Sequence, residues 1–217
     1  MRMSHLALCA LLVSATSAHA DCTSEVNDAF AKLRGTKAFN MHTKITNASG
    51  TLTMSNDYVL PDRMYQQLSL SNGAPGKMEM ILIGDKAWSN QGEHGWVPLP
   101  PEFATKVAKQ MKETVVEPPK DKSEYECLGD VKFEGKTYAA YRAKRAAGPN
   151  EKSQKDKEKP TAQDQAPTKP NVQTVYIDKT TGLPARNVVT PEDAPDKRLF
   201  DGTFSLRKDI KIEPPQS

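Results

Sequence analysis

Beyond its first twenty residues the chain has no apolar run approaching the roughly 20 residues that a membrane-crossing helix needs, so no helical span is expected. It is equally poor in side chains that do chemistry. Of four histidines only His42 and His94 lie past the opening segment, the first on the polar face of a strand pattern and the second in a turn. There is no GxSxG elbow, HExxH helix, P-loop or GxGxxG fingerprint. Asp57, Asp62 and Asp85 read as turn formers. No enzyme is expected, and no cofactor or metal. The three cysteines include no CxxC pair, which removes the usual redox and zinc motifs. A formal net charge of +3 gives neither sign a large excess and argues against nucleic acid or a strongly anionic surface as partner.

What is present begins with a leader. Arg2 precedes the apolar run 6–13, and Ala18-His19-Ala20 supplies small residues before a cut, so residues 1–20 read as a secretory signal peptide removed ahead of Asp21. The protein is then expected in the periplasm. Cys22 invites a lipoprotein reading, but His19 and Asp21 stand where an aliphatic and a small residue belong. Cys9 leaves with the leader, and the remaining pair, Cys22 and Cys127, is expected to form a disulfide in an oxidising compartment. Closing a loop of about a hundred residues stabilises a fold by roughly 4 to 5 kcal/mol on chain-entropy grounds.

Residues 21–217 are enough for one domain with a sizeable core. Segment 146–171 holds Gly, Pro, Lys, Glu, Gln and Ala with no aromatic or large aliphatic, so it cannot bury enough surface to offset its ordering entropy. It is expected to be a disordered polar loop inserted between two strands.

The folded part starts with Val26, Ala29, Phe30 and Leu33 at helical spacing, with Thr23 or Ser24 available as N-cap and Gly35 as terminator. Phe39, Met41, Thr43 and Ile45 then alternate with polar residues, the period of a strand buried on one side. Asn47 to Gly50 reads as a turn, and Asn47-Ala-Ser49 is also a sequon that matters only in a eukaryotic secretory pathway. Leu52 and Met54 continue the pattern, then Met64, Gln66, Leu68 and Leu70, with Asn72-Gly73 as a further turn. Met78, Met80 and Leu82 face one way and Ile81 and Ile83 the other, which predicts a strand covered on both faces. Both tryptophans, Trp88 and Trp96, flank the Gly-rich stretch that follows. Phe103, Val107, Met111 and Val115 form an i+4 ladder entered through prolines, a second helix. Strand patterns return at 131–133, 137–143, 172–177, 186–190 and 199–206, and Asp178 to Gly182 joins two of them. The order predicts an α+β, mainly β, domain: one curved antiparallel sheet forming an unclosed half-barrel with helices in its concave face.

The helix ending near Leu33, the Val59-Leu60-Pro61-Asp62-Arg63 strand entry, the Ile83-Gly84-Asp85-Lys86-Ala87-Trp88 turn, the stretch from Tyr176 to Pro184 and the closing strand 204–212 resemble the LolA-like superfamily of cell-envelope proteins. That family includes the periplasmic lipoprotein carrier, the outer-membrane lipoprotein receptor and mycobacterial lipid-binding lipoproteins. The resemblance implies an apolar cavity between sheet and helices that receives acyl chains. It departs at Leu60, where lipoprotein carriers commonly have a basic residue before the proline, while Arg63 follows it.

A cavity that empties and fills suits methionine, which adapts to irregular volumes. The expected lining is Met41, Met54, Met64, Leu68, Met78, Met80, Leu82, Phe103, Val107 and Met111, with Trp88 and Trp96 as rim residues or as plain structural corners. The implied partner is a lipid or an acylated protein, taken up by a monomeric carrier. The alternative is a periplasmic protein-interaction or envelope-stress sensing module, using an exposed strand edge or the polar loop to hold another envelope protein.

Overall fold

The computed structural model describes residues 18–48, 50–71, 77–92, 95–119, 123–145 and 170–216. Residues 1–17 of the expected leader, the Asn72-Gly73 turn, Ser49, His94 and residues 146–169 of the expected loop lie outside the described residues. Helix α1 covers Ala18–Gly35, and helix α2 covers Pro101–Met111 and runs on into a π-helical turn, Lys112–Val116. The strands are β1 Ala38–Asn47, β2 Gly50–Val59, β3 Arg63–Leu70, β4 Met78–Ile83, β5 Lys86–Asn90 and β6 Trp96–Pro98. After α2 come β7 Glu126–Phe133, β8 Lys136–Arg145, β9 Asn171–Asp178, β10 Leu183–Pro191 and β11 Phe200–Leu206.

All the strands belong to one antiparallel sheet in the order β6-β5-β4-β3-β2-β1-β11-β10-β9-β8-β7. Its end strands β6 and β7 do not pair, so the barrel stays open. The return of β11 to lie beside β1 makes two meanders into one surface. α1 packs on β7, β9 and β10, and α2 on β4 and β5, while Leu33 of α1 also reaches the core cluster that α2 covers. β8 and β9 are direct partners with Arg145 opposite Asn171, and segment 146–169 therefore connects neighbours within one sheet.

α1 begins earlier than its apolar spacing suggests, at Ala18, and the Thr23 hydroxyl is not its cap: Thr23 Oγ1 accepts the Tyr125 backbone N–H at 2.9 Å, tying α1 to the start of β7. The left-handed residue after the helix is Lys37 rather than Gly35. Cys22 and Cys127 are disulfide-bonded, which staples α1 to the edge strand across 105 residues of sequence. β7 starts at Glu126, five residues before its expected apolar stretch, because the disulfide and a bulge between Cys127 and Gly129 extend it.

Asp178 to Gly182 is the tight connection its sequence predicts. Asp178 Oδ1 accepts the Thr180 and Thr181 backbone N–H groups at 3.0 and 2.8 Å. Gly182 closes the turn at φ +65°, a conformation that costs glycine little. The Thr181 N–H bonds, ahead of the smaller opposing effect of burial, hold the Asp178 carboxyl below its usual pKa. Asp62 and Asp85 also lie in turns, but Asp57 does not: it is on the outer face of β2 and accepts Asn40 Nδ2 at 2.8 Å.

Candidate functional site

Because successive residues of a strand point to opposite faces, the register sorts the sheet into inward rows. The first row is Phe39, Tyr58, Met64, Leu82 and Ala87 on β1 to β5, all buried in one core cluster with Ala104 and Met111 of α2. The next is Phe204, Met41, Asn56, Gln66, Met80 and Ser89. The third is Gly202, Thr43, Met54, Leu68 and Met78, and the last is Phe200, Ile45, Leu52 and Leu70.

Burial falls along this series. The first row is sealed by α2. In the last two rows Met54, Leu68, Leu52 and Ile45 are half-buried, while Met78 is 43 % and Leu70 56 % exposed. Apolar side chains left open on the inner face of a curved sheet are the kind of surface a soluble protein otherwise covers.

Met41, Met54, Met64, Leu68, Met78, Met80 and Leu82 thus share the concave side, and Met111 and Val107 of α2 pack toward it. Met64, Leu82 and Met111 are consumed by the core. Met41, Met54, Leu68, Met78 and Met80 retain accessible surface.

Three expected lining residues are elsewhere. Phe103 is 48 % exposed, and Ala104 takes its place at 1 %. The helix turns about 100° per residue, so Ala104 lies nearly in line with Met111, whereas Phe103 sits about 80° round from it. Trp88 pairs with Ile81, and Trp96 with Asn90, on the side of β5 opposite the buried Ala87. The tryptophans therefore belong to the convex face. They neighbour Tyr65, Gln67 and Glu79, where Gln67 Nε2 bonds Tyr65 Oη at 2.8 Å and Tyr65 Oη donates to Glu79. Burial, then that bond to Glu79, pushes the Tyr65 phenol up to about 12.

The inner face also carries polar groups that apolar periodicity does not reveal. Asn56 is buried and accepts Gln66 Nε2 at 2.8 Å. Across β11, Asn187 shares the row of Thr43, and Gln173 and Asn171 of β9 point the same way. Their signal in sequence is a polar residue at an inward position of an alternating strand.

The convex side holds a groove of about 600 Å3 between β8, β9 and β10 and the segment after β10. Its cations are already paired: Arg142 with Glu126, Lys144 with Glu192, and Arg198 with Glu134 and Asp201. It therefore offers an anion no uncompensated charge. His42 lies on the convex face of β1 opposite Ser55. No cluster of three or more His, Cys, Asp or Glu side chains able to hold a metal occurs among the described residues.

No protein-family model and no curated protein matches the sequence. Among solved structures the chain is similar to LprF from Mycobacterium bovis, at 12 % identity and a TM-score of 0.57, covering 91 % of this chain and 98 % of that one. It is also similar to Mycobacterium tuberculosis lipoprotein LppX, at 10 % identity and a TM-score of 0.52, covering 89 % and 99 %. The Pseudomonas aeruginosa MucA/MucB complex superposes more loosely, with a TM-score of 0.39, 12 % identity, and 85 % of this chain on 55 % of that one. The chain has the LolA-like fold that its motifs resemble: one unclosed antiparallel sheet with helices in its concavity.

Proposed function

We propose that this protein binds an amphiphile, with the apolar chain laid against the inner rows of the sheet between α1 and α2. The observation that carries this reading is the burial gradient. α2 consumes the first row, while the rows through Met54, Leu68 and Met78 keep apolar surface that folding has not used. Each methylene brought onto such a surface is worth about 0.8 kcal/mol, so a chain of a dozen carbons needs no charged contact to be held. Methionines at four of the accessible inner positions, 41, 54, 78 and 80, let the surface adapt to chains of different length.

In this reading residues 1–20 are removed on export and the mature protein, from Asp21, is a monomeric periplasmic carrier for a lipid or an acylated protein. α1 extends through the cut, so processing trims only its first turn.

A protein-binding module is the second reading, and the strand edges lend it less support. β6 is three residues long and ends in a proline, and β7 is bulged and stapled; both are devices that discourage a further strand.

Native mass spectrometry of the protein isolated from cell envelopes tests the proposal. Wild type is expected to carry lipid, and Leu68→Asp, at a half-buried position, to lose it while keeping its melting temperature within a few degrees. Equal retention by both proteins, or a stoichiometric protein partner with no lipid, overturns it.

A further inference from the structure

The convex side of β3 to β6 carries both tryptophans of the chain, and the amphiphile surface on the other side has no use for them. Two outward rows run side by side there: Tyr65, Ile81, Trp88 and Pro98, then Gln67, Glu79, Asn90 and Trp96. Trp88 and Trp96 are diagonal neighbours on adjacent strands, with Cβ atoms roughly 7 Å apart, so one extended ligand can touch both rings. Between Tyr65 and Trp88 lies Ile81, 8 % exposed, as an apolar floor. Tyr65, Gln67, Glu79, Trp88, Asn90 and Trp96 all keep part of their surface open to solvent.

The polar members of this face are pinned before any ligand arrives. Tyr65 Oη donates to Glu79 Oε1, and Gln67 Nε2 bonds both Tyr65 Oη at 2.8 Å and Glu79 Oε1 at 3.1 Å. Asn90 Nδ2 donates to Glu79 Oε2 at 3.3 Å, while Asn90 Oδ1 accepts the Gly92 backbone N–H at 3.1 Å. Gln67 Oε1 takes no part in these bonds, and Asn90 Nδ2 keeps a second hydrogen to give. Because the network fixes the side chains in advance, little ordering cost is left for binding.

Two indoles beside a fixed row of amides set two conditions for a ligand. It needs an apolar surface flat enough to lie on the rings, and at its edge hydroxyls that donate to Gln67 Oε1 and accept from Asn90 Nδ2. An acyl chain meets the first condition only. A cation finds little purchase, since both oxygens of Glu79 already accept hydrogen bonds from Tyr65, Gln67 and Asn90. Pyranose rings meet both: their axial C–H bonds make an apolar face and their equatorial hydroxyls a polar edge.

We propose that Trp88, Trp96, Gln67 and Asn90 form a saccharide-binding face for a neutral, β-linked glycan of gluco-configured units. Adjoining sugars stack on the two indoles, and the amides of Gln67 and Asn90 bond their hydroxyls. The face lies on the side of the sheet opposite the amphiphile surface and does not depend on it.

The chain has only two tryptophans, both on this face, so their fluorescence reads it directly. Emission of the full protein is titrated with cellohexaose, with chitohexaose and, as the cation control, with tetramethylammonium chloride. A saturable blue shift with at least one hexasaccharide is expected, and none with tetramethylammonium. Trp96→Ala, on the edge strand, and Gln67→Met, at a half-buried position, should each weaken that sugar about tenfold while melting within a few degrees of wild type. No response to either hexasaccharide, a response to tetramethylammonium alone, or a sugar affinity that survives either substitution overturns the proposal.

Discussion

The two halves of the sheet are built differently. β7 to β11, with α1, are fastened by specific links: the Cys22–Cys127 disulfide, the Thr23–Tyr125 bond, and Lys32 Nζ on the Thr181 carbonyl at 2.6 Å. Their outer face has a core of its own, with Phe133 stacked on Tyr176 at 4.4 Å between ring centres and Arg186 and Arg198 lying 4.7 and 5.1 Å over the Phe133 ring. β1 to β6, with α2, have no such staple among the described residues. They hold together through a methionine-rich interior and an uncapped apolar helix face. The contrast teaches that rigidity and adaptability are segregated: one half is pinned covalently and by ion pairs, while the other is left soft where a flexible ligand would lie.

The sharpest way to break this division is to cut the staple. Cys127→Ser should lower stability by roughly 4 kcal/mol and bring hydrogen-exchange protection of α1 down with it, while α2 is affected less. Uniform loss of protection in both helices would show that the halves do not unfold separately.

Arg186→Met comes next. Arg186 bonds Asp201 through Nε and Nη2, each at 2.6 Å, and also reaches Glu134, so its removal leaves a largely buried carboxylate with the more exposed Arg198, at 3.0 Å, as its remaining ionic partner. A cost of about 3 kcal/mol follows, read by denaturant unfolding. Burial alone would raise the Asp201 pKa, but the bond and charge of Arg186 outweigh it and hold the value below the ordinary one. A depressed folded pKa gives stability that is present above the unfolded value, near 4, and is lost as the pH falls through the folded one. Wild type should therefore lose stability on acidification below about pH 4, and Arg186→Met should show a smaller loss, with Arg198 left to hold the Asp201 charge.

In the softer half, Met54→Leu should change stability by less than about 1.5 kcal/mol while altering the range of chain lengths bound, measured with fatty acids of graded length. The smallest effect is expected at Phe103→Ser: within about 0.5 kcal/mol of wild type and with unchanged ligand binding, because its ring faces away from the sheet.

Much of this architecture was legible from alternation alone. Phe39, Met41, Thr43 and Ile45 announce their strand, and the inward methionines of β2 to β4 their face, because a half-buried antiparallel strand leaves a period of two in any sequence. The i+4 ladder of α2 gave its position but not its orientation: Phe103 and Ala104 both fit, and only contact with Leu82 and Ala87 decides between them. The tryptophans misled because large rings suggest a cavity rim, whereas the parity of β5 relative to Ala87 turns them outward. The outer cluster of Phe133, Tyr176, Arg186 and Arg198 was invisible, since its members meet only after three separate strand pairings and a returning segment. The inward amides at 171 and 173 were hidden for another reason: the polar stretch before them masked the point at which β9 begins.

The β8–β9 hairpin has a practical consequence. Arg145 and Asn171 face each other whatever chain joins them, and lengthening a connection adds closure entropy only as the logarithm of its length. This junction is accordingly a ready splice port. A fluorescent reporter or an affinity handle could be grafted there, and the chain could be reopened at the same point to give a circular permutant, without disturbing a single rung of the sheet.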